Sequence, residues 1–200
     1  MIIQKSARKI SKGDFSDRGS KFYAFLHPVD NLNTYKNFIR KYKEKNPKAC
    51  HVCSAYRIFL NNWVDEYATD DGEPKGSAGL PILNIIKKNN LVNVAIYVVR
   101  IYGGVNLGIP GLIHAYSVSA ENSIKEANLI RWKSVEQIHI QYSYELHKII
   151  ISLVKAVKGR IINEDFKEKV ISCIEIDAGS KDDFINFLNT ETSGRATVLK

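Results

Sequence analysis

Two charged, glycine-rich segments contain most of the residue types that could do chemistry in this 200-residue chain. The first reads DDGEPKGSAGLPIL from Asp70, and the second reads RIYGGVNLGIPGLIHAYS from Arg100. Carboxylates and basic side chains transfer protons, neutralise phosphates or hold Mg²⁺, and glycine lets backbone amides approach an anion. We therefore expect the two segments to fold towards each other and form one site.

The candidate residues of this site fall into two groups. The candidate catalytic residues are a general base, His51, and three acids that are also candidate ligands of Mg²⁺, namely Asp70, Asp71 and Glu73. The candidate ligand-binding residues are Arg57, Lys75, Gly76, Ser77, Gly79, Arg100, Tyr102, Gly103, Gly104, Gly108 and Gly111. The alternative is structural, since glycine loops before helices are often tight turns and clustered carboxylates are often solvated. Neither segment fits a Walker loop or the GxGxxG dinucleotide fingerprint.

The elements that must position these residues are a buried strand and two helices. The apolar run Leu91–Val99 predicts a central strand covered on both faces, with Arg100 at its end, where open α/β sheets place their ligands. Pro81 suits the first turn of a helix after the first segment. Apolar residues at i, i+3, i+4 spacing predict a second helix over Gly111–Asn128.

The first third of the chain predicts strands around one basic helix. The strands are expected over Lys5–Ser11 at a sheet edge, over Ser20–Leu26 and over Val52–Leu60. The helix should begin near residues 30–33 and end at Pro47. Residues 61–66 have no clean period and predict an exposed hairpin tip or a lid, in which Trp63 is half-buried or, alternatively, a stacking platform. Arg57 should either reach solvent or find an acid partner, for which Asp70 and Asp71 are the candidates.

The two signature segments resemble those of the IMPACT/YigZ family, and a third segment, CHVCSAYRI from Cys50, resembles another of its motifs. The sequence departs from the family pattern at Ser77, Ile101, Pro110 and His114. The resemblance implies an α+β protein whose first domain, residues 1–131, is like domain 2 of ribosomal protein S5. It also implies a second domain, residues 132–200, similar to the last domain of the translocation elongation factor.

The second domain has a strand–helix–strand–strand–helix–strand pattern of its own. Its strands are expected over Glu136–Tyr142, Ile161–Phe166, Val170–Ile176 and Ala196–Leu199, and its helices over residues 146–157 and after a capping box at Ser180. This βαββαβ order is the ferredoxin-like unit. No glycine loop or polar cluster is expected in this half, so we expect it to serve docking or binding.

Charge placement is the clearest sign of a partner. Residues 1–48 contain 12 Lys and Arg against 4 Asp and Glu, whereas residues 49–200 contain 17 of each, so the net charge of +8 lies in the first quarter. A one-sided basic surface predicts a polyanion such as RNA, and a merely solvated lysine-rich helix is the equal alternative. The candidate nucleic-acid contacts are Lys36, Arg40, Lys41, Lys43 and Lys45.

The remaining features point to a cytoplasmic protein without a membrane partner. No apolar run approaches the ~20 residues that span a bilayer, and the N-terminus does not resemble a signal peptide. Three cysteines, Cys50, Cys53 and Cys173, predict free thiols, and the Cys50–Cys53 pair lacks the second pair that a zinc site needs.

Three hypotheses of function follow. The first is an RNA- or ribosome-binding regulator of translation, as the family resemblance implies, although the kinase-related role of eukaryotic members is not expected here. The second is an enzyme or a small-anion binder that uses the glycine segments, with turnover not favoured. The third is an adaptor that binds a protein partner through its second domain.

Overall fold

The structure is a computed structural model that describes residues 4–47, 49, 51–60 and 63–199. Cys50 lies outside the described residues. The chain divides into two compact units, Met1–Trp132 and Lys133–Lys200, here called unit 1 and unit 2.

Unit 1 is a mixed α/β unit. Its strands are β1 (Lys5–Ala7), β2 (Ser11–Asp17), β3 (Ser20–Pro28), β4 (His51–Leu60), β5 (Trp63–Thr69), β6 (Val94–Ile101) and β7 (Leu129–Arg131). Its helices are α1 (Leu32–Lys45), α2 (Gly79–Lys88) and α3 (Gly108–Lys125).

A five-stranded sheet in the order β2-β3-β6-β4-β5 forms the centre of unit 1. Residues 94–100 of β6 are all buried, which confirms the predicted central strand. Both neighbours of β6 run antiparallel to it. The comparison with open α/β sheets was therefore wrong, although Arg100 does lie at the rim of the sheet.

Helices cover both faces of this sheet. α1 packs on one face, where Tyr35 joins a cluster with residues of β4 and β6. α2 and α3 pack on the other face over the larger core. The start of α2 comes very close to β5, because a Cβ added to Gly79 would lie 2.6 Å from the backbone nitrogen of Thr69. Only glycine permits this close approach.

The edge strands of unit 1 differ from the prediction. The expected strand Lys5–Ser11 is split, since β1 pairs with β7 while the edge of the five-stranded sheet is β2. The strand β5 was not predicted, and Trp63, which is 56% exposed, lies at its start in the hairpin with β4. Both edge strands carry charged residues on an open face, so their apolar alternation is weak.

Unit 2 has the predicted ferredoxin-like order. Its elements are β8 (Val135–Tyr142), α4 (His147–Ala156), β9 (Arg160–Phe166), β10 (Val170–Asp177), α5 (Lys181–Thr192) and β11 (Thr197–Leu199). The strands pair in the order β11-β8-β10-β9, which places the first and third strands of the unit in the middle. The expected capping box is wrong in detail, because the Ser180 side chain makes no capping hydrogen bond. Within the described residues no helix is long and apolar enough to cross a bilayer.

Candidate functional site

A cleft at the rim of the five-stranded sheet, on the face covered by α2 and α3, joins the two glycine-rich segments. His51 of β4 lies directly opposite Arg100 of β6 in the strand register, so their side chains leave the same face. The cleft has a volume of ≈ 450 Å³. This rim cleft is lined by His51, Glu73, Pro74, Arg100, Tyr102, Asn106, Leu107, Gly108, Ile109 and Leu112.

A buried chain of polar groups runs from the rim cleft into the core of unit 1. Arg100 Nη1 donates to Glu73 Oε1 at 2.6 Å, and both side chains are less than a tenth exposed. The same carboxylate oxygen accepts from the Tyr116 hydroxyl at 2.8 Å. The Cys53 sulfur lies 3.2 Å from that hydroxyl and 3.0 Å from the carbonyl oxygen of Asp70. Burial raises the pKa of the Tyr116 hydroxyl and of the Cys53 thiol. Both groups therefore stay protonated as donors, and Cys53 is not an activated nucleophile.

The guanidinium of Arg100 is held between two aromatic rings. Its Cζ atom lies 5.5 Å from the ring centroid of Phe22 and 5.5 Å from that of Tyr102. Arg100 is 6% exposed. In the described part of the chain its Nε atom has no hydrogen-bond partner. A buried donor without an acceptor costs about 1–3 kcal/mol and is uncommon in folded proteins.

The ring of His51 has a fixed orientation. Its Nδ1 atom lies 2.7 Å from the carbonyl oxygen of Asp71, and because a carbonyl only accepts, Nδ1 carries the proton. In the neutral ring Nε2 then holds the lone pair, as a general base or hydrogen-bond acceptor requires. The Asp71 carboxylate accepts from the backbone N–H of Val52 at 2.8 Å and from Lys43 Nζ at 2.5 Å. The backbone carbonyl of Asp71 thus fixes the orientation of the His51 ring.

Asp70 closes the first glycine segment on itself. Its carboxylate accepts from the backbone N–H groups of Gly76 at 2.8 Å, Ala78 at 3.0 Å and Gly79 at 2.8 Å. These amides precede and begin α2, so Asp70 caps this helix from a distance. The expectation that the amides approach a ligand is therefore wrong here, because an internal carboxylate already occupies them.

The three predicted acids do not converge. Asp70 faces amides, Asp71 faces Lys43 and Glu73 faces Arg100. Across residues 4–47, 49, 51–60 and 63–199, no group of three or more His, Cys, Asp or Glu residues is placed to hold a metal ion.

Several other predicted residues lie away from the rim cleft or serve the fold. Arg57 pairs with Glu66 at 2.9 Å and donates to the carbonyl of Leu91 at 2.8 Å, so the predicted partners Asp70 and Asp71 are wrong. The Ser77 hydroxyl donates to the Pro74 carbonyl, and Lys75 is exposed. A Cβ on Gly103 would lie 2.0 Å from the carbonyl carbon of Gly19, so Gly103 is required for close backbone packing. Of the other predicted glycines, Gly104 follows β6, while Gly108 and Gly111 belong to the first turn of α3.

A second cleft lies on the opposite face of the sheet, beside α1. It has a volume of ≈ 350 Å³. This basic cleft is lined by Ile10, Lys12, Phe25, His27, Phe38, Lys41, Tyr42, Lys45 and Asn46. The rings of Phe25 and Tyr42 stack with their centroids 4.6 Å apart. Lys12 lies 5.9 Å from the Phe25 ring centroid, and Lys41 lies 5.9 Å from that of Phe38.

The predicted basic face of α1 is divided between two sides. Lys41 and Lys45 line the basic cleft, whereas Lys43, about 200° around the helix from Lys41, forms the ion pair with Asp71. Arg40 lies 3.9 Å from Glu44, and Lys36 is exposed on the helix. Only part of the predicted nucleic-acid set therefore faces one cleft, and Lys12 of β2 joins it there.

The free energy of unfolding of unit 1 should depend on pH through His27. Burial, and after it the charge of Lys41, lowers the pKa of His27 from its ordinary value of 6.5 to about 4. Between these values the unfolded chain binds the proton and the folded chain does not, so the free energy of unfolding rises with pH. We expect this contribution to be complete above pH 6.5 and lost by pH 4, a change of about 3 kcal/mol.

Urea unfolding from pH 4 to pH 7 checks this contribution. Tryptophan fluorescence reports unit 1, because Trp63 and Trp132 both lie in it. The stability difference between the natural chain and His27→Gln should grow by about 3 kcal/mol across this range. A difference that stays constant with pH contradicts the assignment.

Unit 2 contains a polar cluster that the sequence prediction said was absent. The Tyr142 hydroxyl lies 2.7 Å from Ser172 Oγ and 3.0 Å from His147 Nδ1, and Ser172 donates to Glu164 Oε1 at 2.9 Å. Burial raises the pKa of Tyr142. Residues from β8, α4, β9 and β10 meet only in the folded unit, so spacing along the chain gave no sign of the cluster.

Known proteins support one family for unit 1. Residues 18–124 match the family model described as the Impact N-terminal domain. The chain belongs to this family. The match spans both glycine-rich segments and the strand that carries His51, so the rim cleft is built from Impact N-terminal domain residues.

Relatives and a solved structure extend the comparison. The IMPACT family member YvyE of Bacillus subtilis is 36% identical over 125 residues, which are 62% of this chain and 57% of that protein. The IMPACT family member YigZ of Escherichia coli is 28% identical over 181 residues, which are 90% of this chain and 89% of that protein. A crystal structure titled as a hypothetical protein covers 100% of this chain and 98% of its own at 24% identity, with a TM-score of 0.72, which shows the fold.

Proposed function

We propose that this Impact N-terminal domain protein binds RNA through the basic cleft and regulates translation in the cytoplasm, with RNA or the ribosome as its partner. One observation carries the proposal. Three lysines, Lys12, Lys41 and Lys45, surround a cleft with aromatic walls, and none of them forms an ion pair with a described residue.

The composition of the basic cleft suits a nucleic acid better than a small anion. Lysine side chains attract successive phosphates of a polyanion, and aromatic rings offer stacking surfaces that bind bases of any sequence. Phe25 and Tyr42 are partly exposed next to the lysines. A single-stranded segment could thus place phosphates on the lysines and a base against the rings.

Charge balance within unit 1 supports the same surface. Lys43 is neutralised by Asp71, and Arg40 lies next to Glu44. The cations left without a carboxylate partner in the described residues of α1 include Lys41 and Lys45, which face the cleft. Three of the basic residues that give residues 1–48 their excess of positive charge therefore lie together at this cleft, where a phosphate backbone can reach them.

Fluorescence anisotropy with a labelled single-stranded RNA tests the proposal. The test variant is Lys12→Gln/Lys41→Gln/Lys45→Gln. The control is Lys148→Gln/Lys155→Gln/Lys169→Gln, which removes three exposed lysines of unit 2 and changes the net charge equally. We expect the test variant to bind at least about tenfold more weakly at ~100 mM salt, because three phosphate contacts are lost.

The dependence on salt gives a second readout. The slope of log K against log salt should fall in magnitude by about 2 for the test variant, since each contact to a single strand contributes about 0.7. The control should keep the natural slope. Equal losses in the two variants would indicate attraction to net charge alone, and an absence of binding by the natural chain at low salt would refute the proposal.

A further inference from the structure

The rim cleft contains a helix terminus with free donors. The first N–H groups of a helix have no partner within the helix, and the residue before α3, Leu107, provides no side-chain cap. Gly108 and Ile109 begin the helix and line the rim cleft. Pro110 contributes no N–H. The electropositive N-terminal end of this 18-residue helix therefore lies at the cleft, beginning at Gly108 with a φ of +70°.

The second observation is the unpartnered edge of Arg100. A guanidinium is a planar fork of five N–H donors, and its Nε edge can hold two oxygens of one anion. Glu73 occupies Nη1 on the other side, while Nε has no acceptor in the described part of the chain. Arg100 is 6% exposed and is one of the residues that line the same cleft.

The walls of the rim cleft are largely apolar. Pro74, Leu107, Ile109 and Leu112 contribute aliphatic surface, and Tyr102 contributes a ring over Arg100. A volume of ≈ 450 Å³ exceeds what a bare phosphate fills. Small-molecule sites commonly combine such apolar walls with a few convergent polar groups.

We infer that the rim cleft binds a small organic molecule that carries a phosphate or carboxylate group. The oxyanion lies between the Nε edge of Arg100 and the amides of Gly108 and Ile109, and the organic part packs on the apolar walls. This site is separate from the basic cleft, which lies on the opposite face of the sheet, so either can fail without the other.

Calorimetric titration of the full chain with three probes tests the inference. The probes are phenyl phosphate, benzoate and inorganic phosphate. We expect one of the two aromatic probes to bind with a dissociation constant below about 1 mM, and inorganic phosphate to bind at least about tenfold more weakly because it leaves the apolar walls uncovered. The comparison of phenyl phosphate with benzoate identifies the preferred oxyanion.

A carboxylate placed at the helix terminus supplies a variant that keeps the fold. Ile109 is 52% exposed, and Ile109→Glu puts a negative charge in the first turn of α3, where it suits the helix but repels a bound anion. The matched control is Ile113→Glu, which makes the same change at a 41% exposed position one turn further along.

The two variants separate the possible results. We expect Ile109→Glu to weaken probe binding at least about tenfold and Ile113→Glu to change it less than about twofold, with similar melting temperatures for both. The inference is overturned if no probe binds the natural chain at about 10 mM, or if Ile109→Glu binds as the natural chain does.

Discussion

Glu73→Ala is expected to lower the free energy of unfolding of unit 1 by about 3–5 kcal/mol. The substitution removes the carboxylate that pairs with Arg100 at 2.6 Å, in a pair whose side chains are 3% and 8% exposed. The guanidinium is then left as an uncompensated charge between Phe22 and Tyr102, and the Tyr116 hydroxyl loses its acceptor. Urea unfolding followed by tryptophan fluorescence measures the loss.

Two further variants test the cause of this loss. Glu66→Ala removes a carboxylate that also pairs with an arginine but is 27% exposed, so we expect a cost of about 1 kcal/mol. Glu73→Leu/Arg100→Met removes both charges, and we expect it to recover most of the stability. The account is wrong if Glu73→Ala stays within about 1 kcal/mol of the natural chain.

Asp70→Ala is expected to lower the free energy of unfolding of unit 1 by about 2–4 kcal/mol, because three backbone amides lose one shared acceptor. Asp70→Asn keeps an acceptor oxygen and should cost less. The same urea titration measures both effects.

An exposed aspartate controls for the loss of charge. Asp30 is exposed, and the only hydrogen bond seen for its side chain in the described residues is to the adjacent Asn31. We expect Asp30→Ala to change stability by no more than about 0.5 kcal/mol. A cost for Asp70→Ala equal to that of Asp30→Ala would show that the amides find water instead.

The buried elements of the fold could be predicted from local patterns. β6 is apolar at almost every position, and the helices of both units carry apolar residues at helical spacing. The βαββαβ order of unit 2 followed from alternation and helix caps alone. These patterns involve residues that are close together in the sequence, so they can be recognised without a structure.

The edge strand β5 could not be predicted. Because it was missed, the wrong acid partner was predicted for Arg57. Once β5 is known, the register of the β4–β5 hairpin places Glu66 directly opposite Arg57. Without β5, Glu66 had no expected place in the sheet, although it is nearer to Arg57 in the sequence than the predicted partners Asp70 and Asp71. Cross-strand pairs of this kind require the register, and a weakly alternating edge strand hides it.

The sequence located some residues of the candidate site correctly, but it did not show which other residues contact them. His51 and Arg100 do line one cleft. Spacing along the sequence could not show that Asp70 serves as a helix cap or that Tyr116 completes the network of Glu73, because these contacts join residues 6–43 positions apart. The alternation of β3 places His27 on the face that α1 covers, where its ring lies 4.0 Å from that of Phe38.

Ultraviolet cross-linking of the full chain to a labelled single-stranded RNA, read by mass spectrometry, tests the proposed RNA surface most directly. Aromatic rings beside a bound base form the cross-links, so we predict that they map to Phe25, Phe38 or Tyr42 and disappear in the Lys12→Gln/Lys41→Gln/Lys45→Gln variant. Cross-links confined to residues 133–199, or unchanged in that variant, would contradict the proposal that the basic cleft binds RNA.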